Sequence, residues 1–305
     1  MRIGILGDAI LDIDLHSTPR ANDEGAKQCF TAARPRYHAG GAANVAQILM
    51  DMGVQVTLFA AVGRDAAGEW LEEWYSTTVL VRQRVTNQCV RTYCNDTLVF
   101  RQDIDASGEP GQWLKRYPYH ECLYGIPPTN VEMFDGFVFS DYAKGMLSAG
   151  SGCDEVVRRI IESGVPTVVD PHIKGRSDLW AGATVATPNI LEHETLGFLG
   201  TQWTTVTRGN IGVGVYQGDD ALDFHRPVGA GSSHPQIVGA GDAFTAAMAK
   251  EVALGADISV AARRAMEFAS AYVCRERGAP SGIAEGHNRR DDGRRLEPGR
   301  KRQVD

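Results

Sequence analysis

The chain opens on a short apolar run, Ile3–Leu6, and runs of this kind recur at Val54–Val62, Phe137–Phe139, Pro166–Val169, Ala183–Thr187, Thr204–Thr207 and Val213–Tyr216. Each is too short for a helix, and most are bounded by glycine or polar residues, so each predicts a buried strand. Helix-period apolar positions predict helices over Ala42–Met52, near Asp154–Ser163, and at about Gly241–Leu254 and Ile258–Arg275. Strands alternating with helices predict an α/β domain: a mainly parallel central sheet flanked by helices on both faces. Two stretches break this rhythm. Gln28–His38 and Thr86–Asp103 are rich in β-branched and aromatic residues with partial alternation. They predict a small separate sheet, a lid over the main domain with strands at about 27–38 and 86–103. No 20–50-residue period repeats, which argues against a solenoid.

The segment from His287 to Asp305 has seven basic and four acidic residues and almost no apolar ones. It has too little to bury and is expected to be disordered, leaving 1–286 as the folded domain. A length of 305 residues with 43% hydrophobic content is enough for one large α/β core. No apolar run approaches the roughly 18 residues of a membrane helix, so no membrane association is expected. The net charge of −7 argues against a dedicated nucleic-acid binder. Asp8 interrupts the N-terminal apolar stretch, which therefore does not read as a signal peptide. The six cysteines form no C-x-x-C pair. A cytoplasmic protein with reduced thiols is the expectation.

The strongest chemical signal is Val238-Gly239-Ala240-Gly241-Asp242-Ala243-Phe244, leading into a small-residue helix. Glycines at a helix start admit a ligand close to exposed N–H groups, and the helix dipole favours an anion there. Asp242 is placed to accept a proton from an attacking hydroxyl. Read alone, the segment is also a glycine turn with Asp242 as an N-cap. Gly40-Gly41-Ala42-Ala43-Asn44 precedes a helix in the same way, and Asn44 offers both a donor and an acceptor to a polyhydroxyl ligand. It reads equally as a tight strand-to-helix turn. Thr187-Pro188-Asn189-Ile190-Leu191-Glu192 puts an Asn and a Glu on one helix face. These oxygens suit Mg²⁺ held through water, or else a helix-capping pair. Ser140-Asp141-Tyr142-Ala143-Lys144-Gly145, Asp170-Pro171-His172-Ile173-Lys174-Gly175 and Thr207-Arg208-Gly209 all follow predicted strands. They fall on the sheet edge where open α/β sheets bind ligands. Asp141 suits sugar hydroxyls there and Lys144 suits a phosphate. Gly229-Ala230-Gly231-Ser232-Ser233 lacks the Lys of a phosphate loop, and the histidines show no metal-ligand spacing.

Together and in order, these motifs resemble the ribokinase-like (PfkB) family of sugar kinases over about residues 1–286. A narrower likeness, to the kinase domain of the bacterial heptose kinases, rests on Gly7-Asp8-Ala9-Ile10-Leu11-Asp12, the Ser140–Gly145 segment, Asp170-Pro171 with Lys174-Gly175, and Gly182-Ala183-Thr184 with Thr187-Pro188-Asn189. Arg91 and Phe100-Arg101-Gln102-Asp103 extend it into the lid. The resemblance implies transfer of the ATP γ-phosphoryl group to C1 of heptose 7-phosphate. It implies Asp242 as catalytic base, with the backbone of Gly239, Ala240 and Gly241 as anion hole. Asp12, Gly40, Gly41 and Asn44 would hold the sugar, and Asn189 and Glu192 would organise Mg²⁺–ATP. Lys174, Thr207 and Gly209 would border the nucleotide, with Arg101 and Lys144 as candidates for the substrate phosphate. Lid pairing in the family implies a homodimer. Bifunctional relatives carry a following nucleotidyltransferase domain, for which 305 residues leave no room.

Two departures stand out. Gln236 replaces the acidic residue usual three positions before the first glycine of Gly239–Asp242, which argues against activation by a monovalent cation. The stretch from Asn189 to Thr207 is short, enough for one helix and not the usual two, so altered nucleotide affinity is expected.

Overall fold

The computed structural model describes residues 1–21, 30–32, 35–74, 79–82, 85–95, 97–105, 131–149, 151–227 and 238–274. Its main sheet starts with β1 (Arg2–Gly7), which lies between β5 (Gln55–Val62) and β9 (Gly136–Ser140), parallel to both. Beyond β5 lies β6 (Val79–Arg82). Beyond β9 come β10 (Thr167–Asp170), β11 (Val185–Ala186) and β12 (Trp203–Thr207), all parallel. Two antiparallel strands, β13 (Val213–Gln217) and β14 (Asp220–His225), close that side and make nine. The chain builds outward from β1 in both directions, so the crevice between the C-terminal ends of β1 and β9 is the switch point of the topology.

Alternation along the central strands sorts side chains into two cores. Ile3, Ile5, Leu58, Ala60 and Val138 face one side, where α1 (Ala42–Asp51), α5 (Ala240–Ala253) and α6 (Ile258–Cys274) pack. Leu6, Phe59, Phe137 and Phe139 face the other, with Val157 and Ile160 of α3 (Cys153–Glu162) and the buried Trp180. Gly4 sits opposite Phe137 in the register, and a Cβ on it would come 2.3 Å from that ring. A glycine in the central strand thus makes room for an aromatic anchor. Helix α2 (Ala66–Trp74) links β5 to β6, and α4 (Ile190–Leu196) is the helix between β11 and β12. That crossover contains one helix of seven residues, and Leu191 and Phe198 on it are 58% and 62% exposed.

A second sheet has β2 (Ala9–Pro19) at its centre. β3 (Phe30–Ala32) and β4 (Arg36–Gly41) pair with it antiparallel, and β7 (Asn87–Cys94) pairs with it parallel. β8 (Thr97–Ile104) is the outer strand. The central strand was not among the strands expected from the apolar runs. Its polar positions Asp12, Asp14 and His16 alternate with Leu11, Ile13 and Leu15, a one-sided pattern that a search for continuous apolar runs passes over. Residues 27–29, 33–34 and 96 of the expected lid lie outside the described residues, as do Cys29, Cys122, Gly229–Gln236 and the charged segment 287–305. No helix among the described residues is long and apolar enough to cross a membrane.

Candidate active site

Asp8 follows β1 directly, at the switch point. It is 2% exposed. Its carboxylate accepts three backbone N–H bonds from the loop after β9: Tyr142 and Lys144 on Oδ2 at 3.0 Å and Met146 on Oδ1 at 2.9 Å. Burial pushes its pKa up and these bonds pull it down. The loop turns through Ala143 at φ 52° and Gly145 at φ 118°. A non-glycine residue in that region persists only where its surroundings over-determine it. Asp8 supplies that constraint and fixes where Tyr142 stands.

Asp242 lies in the first turn of α5 and is 5% exposed. Asn44 Nδ2, from the start of α1, donates to its Oδ2 at 2.5 Å, and Tyr142 Oη donates to its Oδ1 at 2.5 Å. Burial raises the Asp242 pKa, and these two donors lower it. Gly239 opens α5 at φ 80°, and a Cβ there would come 3.0 Å from Asn44 Nδ2. Glycine therefore lets the two helix starts meet. Among the described residues no side chain caps α5, and a Cβ on Gly241 would meet nothing within 4 Å. The terminus offers free space beside orphan N–H groups at the positive end of the helix dipole, which is an anion site.

The second sheet brings Asp12 to the same place. Arg91 Nη1 lies 3.0 Å from Asp12 Oδ2 and 3.9 Å from Asp14 Oδ1. His38 Nε2 lies 3.6 Å from Asp14 Oδ2. Burial drives Asp12 up to about 6 against the pull of Arg91. A Cβ on Gly40 would come 2.9 Å from the Asp12 carboxylate, and one on Gly41, at φ 58°, would come 2.4 Å from the Asp8 carbonyl oxygen. The glycine pair is required by close approach on both sides.

Farther along the edge, Asn189 and Glu192 form a reciprocal capping box at α4. Glu192 N donates to Asn189 Oδ1 at 3.0 Å, and Asn189 N donates to Glu192 Oε2 at 2.9 Å. An isolated parallel bridge joins Asn189 to Thr207, and Gly209, at φ 55°, opens the next turn. Asp170, at the end of β10, has its pKa raised by burial first and then by the charges of Asp242 and Glu192. Burial also raises Glu192. Among the described residues no three such side chains converge on one metal position. The hard oxygens of Asp170, Asn189 and Glu192 nevertheless suit a cation that keeps much of its water shell.

The structure therefore joins Asp12, Gly40, Gly41, Asn44, Gly239, Ala240, Gly241 and Asp242 in one cluster, with Asn189, Glu192, Thr207 and Gly209 in a second beside it. The other four expected residues have the following surroundings. Asp141 turns inward and is 4% exposed. Its Oδ1 accepts from Ala143 N at 2.8 Å, and a Cβ on Gly175 would come 2.2 Å from its Oδ2. Burial and the charge of Asp8 push it up to about 7. It frames the loop, and its neighbour Tyr142 reaches Asp242 instead. Lys144 is ion-paired with Asp105 at the end of the second sheet. Arg101, on β8, is 54% exposed and bonded to Asp103 at 3.1 Å. Lys174 is exposed, and its backbone N–H donates to His172 Nδ1 at 3.1 Å. Sequence reasoning assigned no role to Asp8, Tyr142 or Asp170. All three follow apolar runs at strand ends, the one signal that marks them.

A parallel sheet with its site at the switch point, glycine-led helix starts around a buried aspartate and a second sheet over them define a ribokinase-like fold. Ribokinase from Thermotoga maritima superposes over 92% of this chain and 95% of its own, with TM-score 0.66 and 19% identity. Arabidopsis thaliana ribokinase complexed with ribose and ATP superposes over 92% and 94%, with TM-score 0.63 and 18% identity. The chain belongs to the pfkB family of carbohydrate kinases, whose sequence pattern matches residues 3–91 and 151–283. Among curated proteins it is 28% identical over 296 residues to the bifunctional protein HldE of Paramagnetospirillum magneticum, covering 88% of this chain and 59% of the relative. It is 29% identical over 206 residues to HldE of Nitratiruptor sp., covering 65% of this chain and 42% of the relative. The chain thus spans about half the length of these relatives.

Proposed function

We propose that the chain transfers the γ-phosphoryl group of ATP to a hydroxyl of a phosphorylated sugar, with heptose 7-phosphate, phosphorylated at C1, as the substrate. The observation that carries this reading is the buried Asp242 at a helix start that no described side chain caps, beside a polar cluster of Asp12, Gly40 and Asn44. The likeness to the HldE proteins supports the heptose assignment.

In this mechanism Asp12 and Asn44 orient the sugar hydroxyls, and Arg91 keeps Asp12 ionised and in place. Asp242 accepts the proton of the attacking hydroxyl. The N–H groups of Gly239, Ala240 and Gly241 receive the negative charge on the transferring phosphoryl oxygens. Asn189 and Glu192, with Asp170 behind them, would hold a hydrated Mg²⁺. Such an ion neutralises charge on the nucleotide phosphates. Thr207 and Gly209 border the nucleotide. The second sheet covers the sugar and limits transfer to water.

A second reading, a kinase for an unphosphorylated sugar, is favoured by one observation. Lys144 is paired with Asp105 and Arg101 with Asp103, so both candidate phosphate ligands have carboxylate partners. The experiment is ADP release with Mg²⁺–ATP across heptose 7-phosphate, other sugar phosphates and their unphosphorylated counterparts. Turnover on heptose 7-phosphate alone is expected. Equal turnover on unphosphorylated sugars moves the substrate to the second reading, and no turnover with any sugar overturns both.

A further inference from the structure

Asp242 is held from two sides by donors of different character. Tyr142 belongs to a loop whose backbone is pinned by three N–H bonds to the buried Asp8 and turned through Ala143 at φ 52°. Its ring also stacks on His172, with centroids 6.5 Å apart, so moving the hydroxyl off Asp242 Oδ1 means giving up that stack as well. Asn44 sits on the first turn of α1 and reaches Oδ2 with a side-chain amide. That amide turns about its own side-chain torsions with no change in the backbone. One contact is braced by a pinned loop and a ring stack, and the other depends on the torsions of a short side chain.

We propose that the two oxygens of Asp242 have separate jobs: Tyr142 anchors Oδ1, and Oδ2, which Asn44 holds until the sugar arrives, is the oxygen that takes the acceptor's proton. This rests on the reading of Asp242 as the base. In the step, the acceptor O–H bond breaks and its proton goes to Oδ2. The oxygen's electron pair forms the bond to the γ-phosphorus. The bond from that phosphorus to the β–γ bridging oxygen breaks, and its pair leaves with ADP. Tyr142 transfers nothing; it is a positioning residue. A carboxylate free to swing about its side-chain torsions presents Oδ2 to the hydroxyl for only part of the time, and misplacement of a reacting group by about 1 Å costs on the order of 100-fold.

The test is steady-state ADP release with Mg²⁺–ATP and the sugar that supports turnover, comparing the intact chain with Tyr142→Phe, which keeps the ring and removes the donor. The expected result is a kcat lower by roughly 10- to 100-fold with both KM values within about twofold, the mark of an interaction that matters only in the transition state. A kcat within about twofold of the parent, or a loss carried by KM, overturns the proposal. Asp242→Asn runs alongside. If it retains turnover, the base assignment itself fails; if it is inactive while Tyr142→Phe is fully active, only the anchoring proposal fails. A structure with the sugar and a non-hydrolysable ATP analogue decides the point without a variant. The acceptor oxygen is expected about 3 Å from Oδ2, with Tyr142 still on Oδ1 and Asn44 turned away. An acceptor oxygen on Oδ1 refutes it.

Discussion

The two halves of the site are built to different tolerances. On the proposed sugar side, Asp8 binds the backbone of the Tyr142 loop, Tyr142 and Asn44 both bond to Asp242, Arg91 pairs with Asp12, and the three aspartates have pKa values raised by burial. On the other side, Asn189 and Glu192 satisfy each other in a capping box on a seven-residue helix, and Leu191 and Phe198 nearby stand 58% and 62% exposed. A site that must select one hydroxyl among several needs fixed geometry. A site that grips phosphates through backbone, water and a cation needs much less. Changes on the sugar side should therefore act on kcat, on folding and on the KM for the sugar, and changes on the other side on the KM for ATP.

The largest effect is expected at the centre of the rigid half. Asp242→Asn removes the proton acceptor and keeps the shape, so kcat should fall by about 10³-fold while ATP binding, read by calorimetry, stays within about twofold. A comparable loss of ATP affinity would mean that the two halves are not separable. Next comes Asp8→Ala. It leaves the buried N–H of Met146 and the part-buried N–H groups of Tyr142 and Lys144 without their acceptor, which costs about 3–5 kcal/mol, or roughly 10 °C in the thermal midpoint. A midpoint within about 2 °C of the parent would show that Asp8 is not what fixes the loop.

A pH experiment sharpens the same contrast. Burial raises Asp12 from the ordinary 3.8 to about 6, with Arg91 pulling down and the charges of Asp14 and Asp242 pushing up. Because the folded value is the higher one, the contribution of Asp12 to stability is fully present below 3.8 and is lost as pH rises through about 6. Its function runs the other way. Below about 6 Asp12 takes up a proton, its ion pair with Arg91 weakens and its capacity to accept sugar hydroxyls falls. The KM for the sugar should rise by up to about tenfold per unit below that pH. Asp12→Asn should abolish the acid limb. A limb of the same size in that variant would place the titrating group elsewhere.

The legibility of these halves in the sequence also differs, for a physical reason. Strands with continuous apolar runs, such as Ile3–Leu6 and Phe137–Phe139, are buried on both faces and announce themselves. β2 has one polar face, and its alternation of Asp12 and Asp14 with Leu11 and Ile13 makes no continuous apolar run, so only Gly7–Asp12 stands out in the sequence, as part of a motif. The glycines at 40, 41 and 239 were legible because close approach or a positive φ disfavours other residues there, whereas Gly241 borders open space. Asp8 and Tyr142 were visible only as letters within segments. Their importance comes from contacts 134 to 138 positions away along the chain in one case and 100 in the other. Local pattern carries no information about such pairs. The same limit applies to Asp141 and Lys144. A strand end marks where a loop begins but does not say which of its side chains faces in.

The smallest effect, and the one that tests the looser half, belongs to Glu192. Its carboxylate accepts from Asn189 N at 2.9 Å and is close enough to Asp170 to raise that residue's pKa. Capping and charge can be separated by two variants. Glu192→Gln keeps an acceptor for the capping box and removes the charge, so stability should hold within about 0.5 kcal/mol. Glu192→Ala removes both and should cost about 1 kcal/mol. If the residue only caps α4, the KM for Mg²⁺–ATP will follow stability, unchanged in the first variant and altered in the second. If its charge helps to hold the cation, both variants should raise that KM by several-fold and raise the Mg²⁺ concentration needed for half-maximal rate, with kcat for the sugar nearly untouched. Titration of the rate with Mg²⁺ at fixed ATP distinguishes the two. Equal Mg²⁺ dependence in the parent chain and Glu192→Gln would leave Glu192 a capping residue and move the cation toward Asp170.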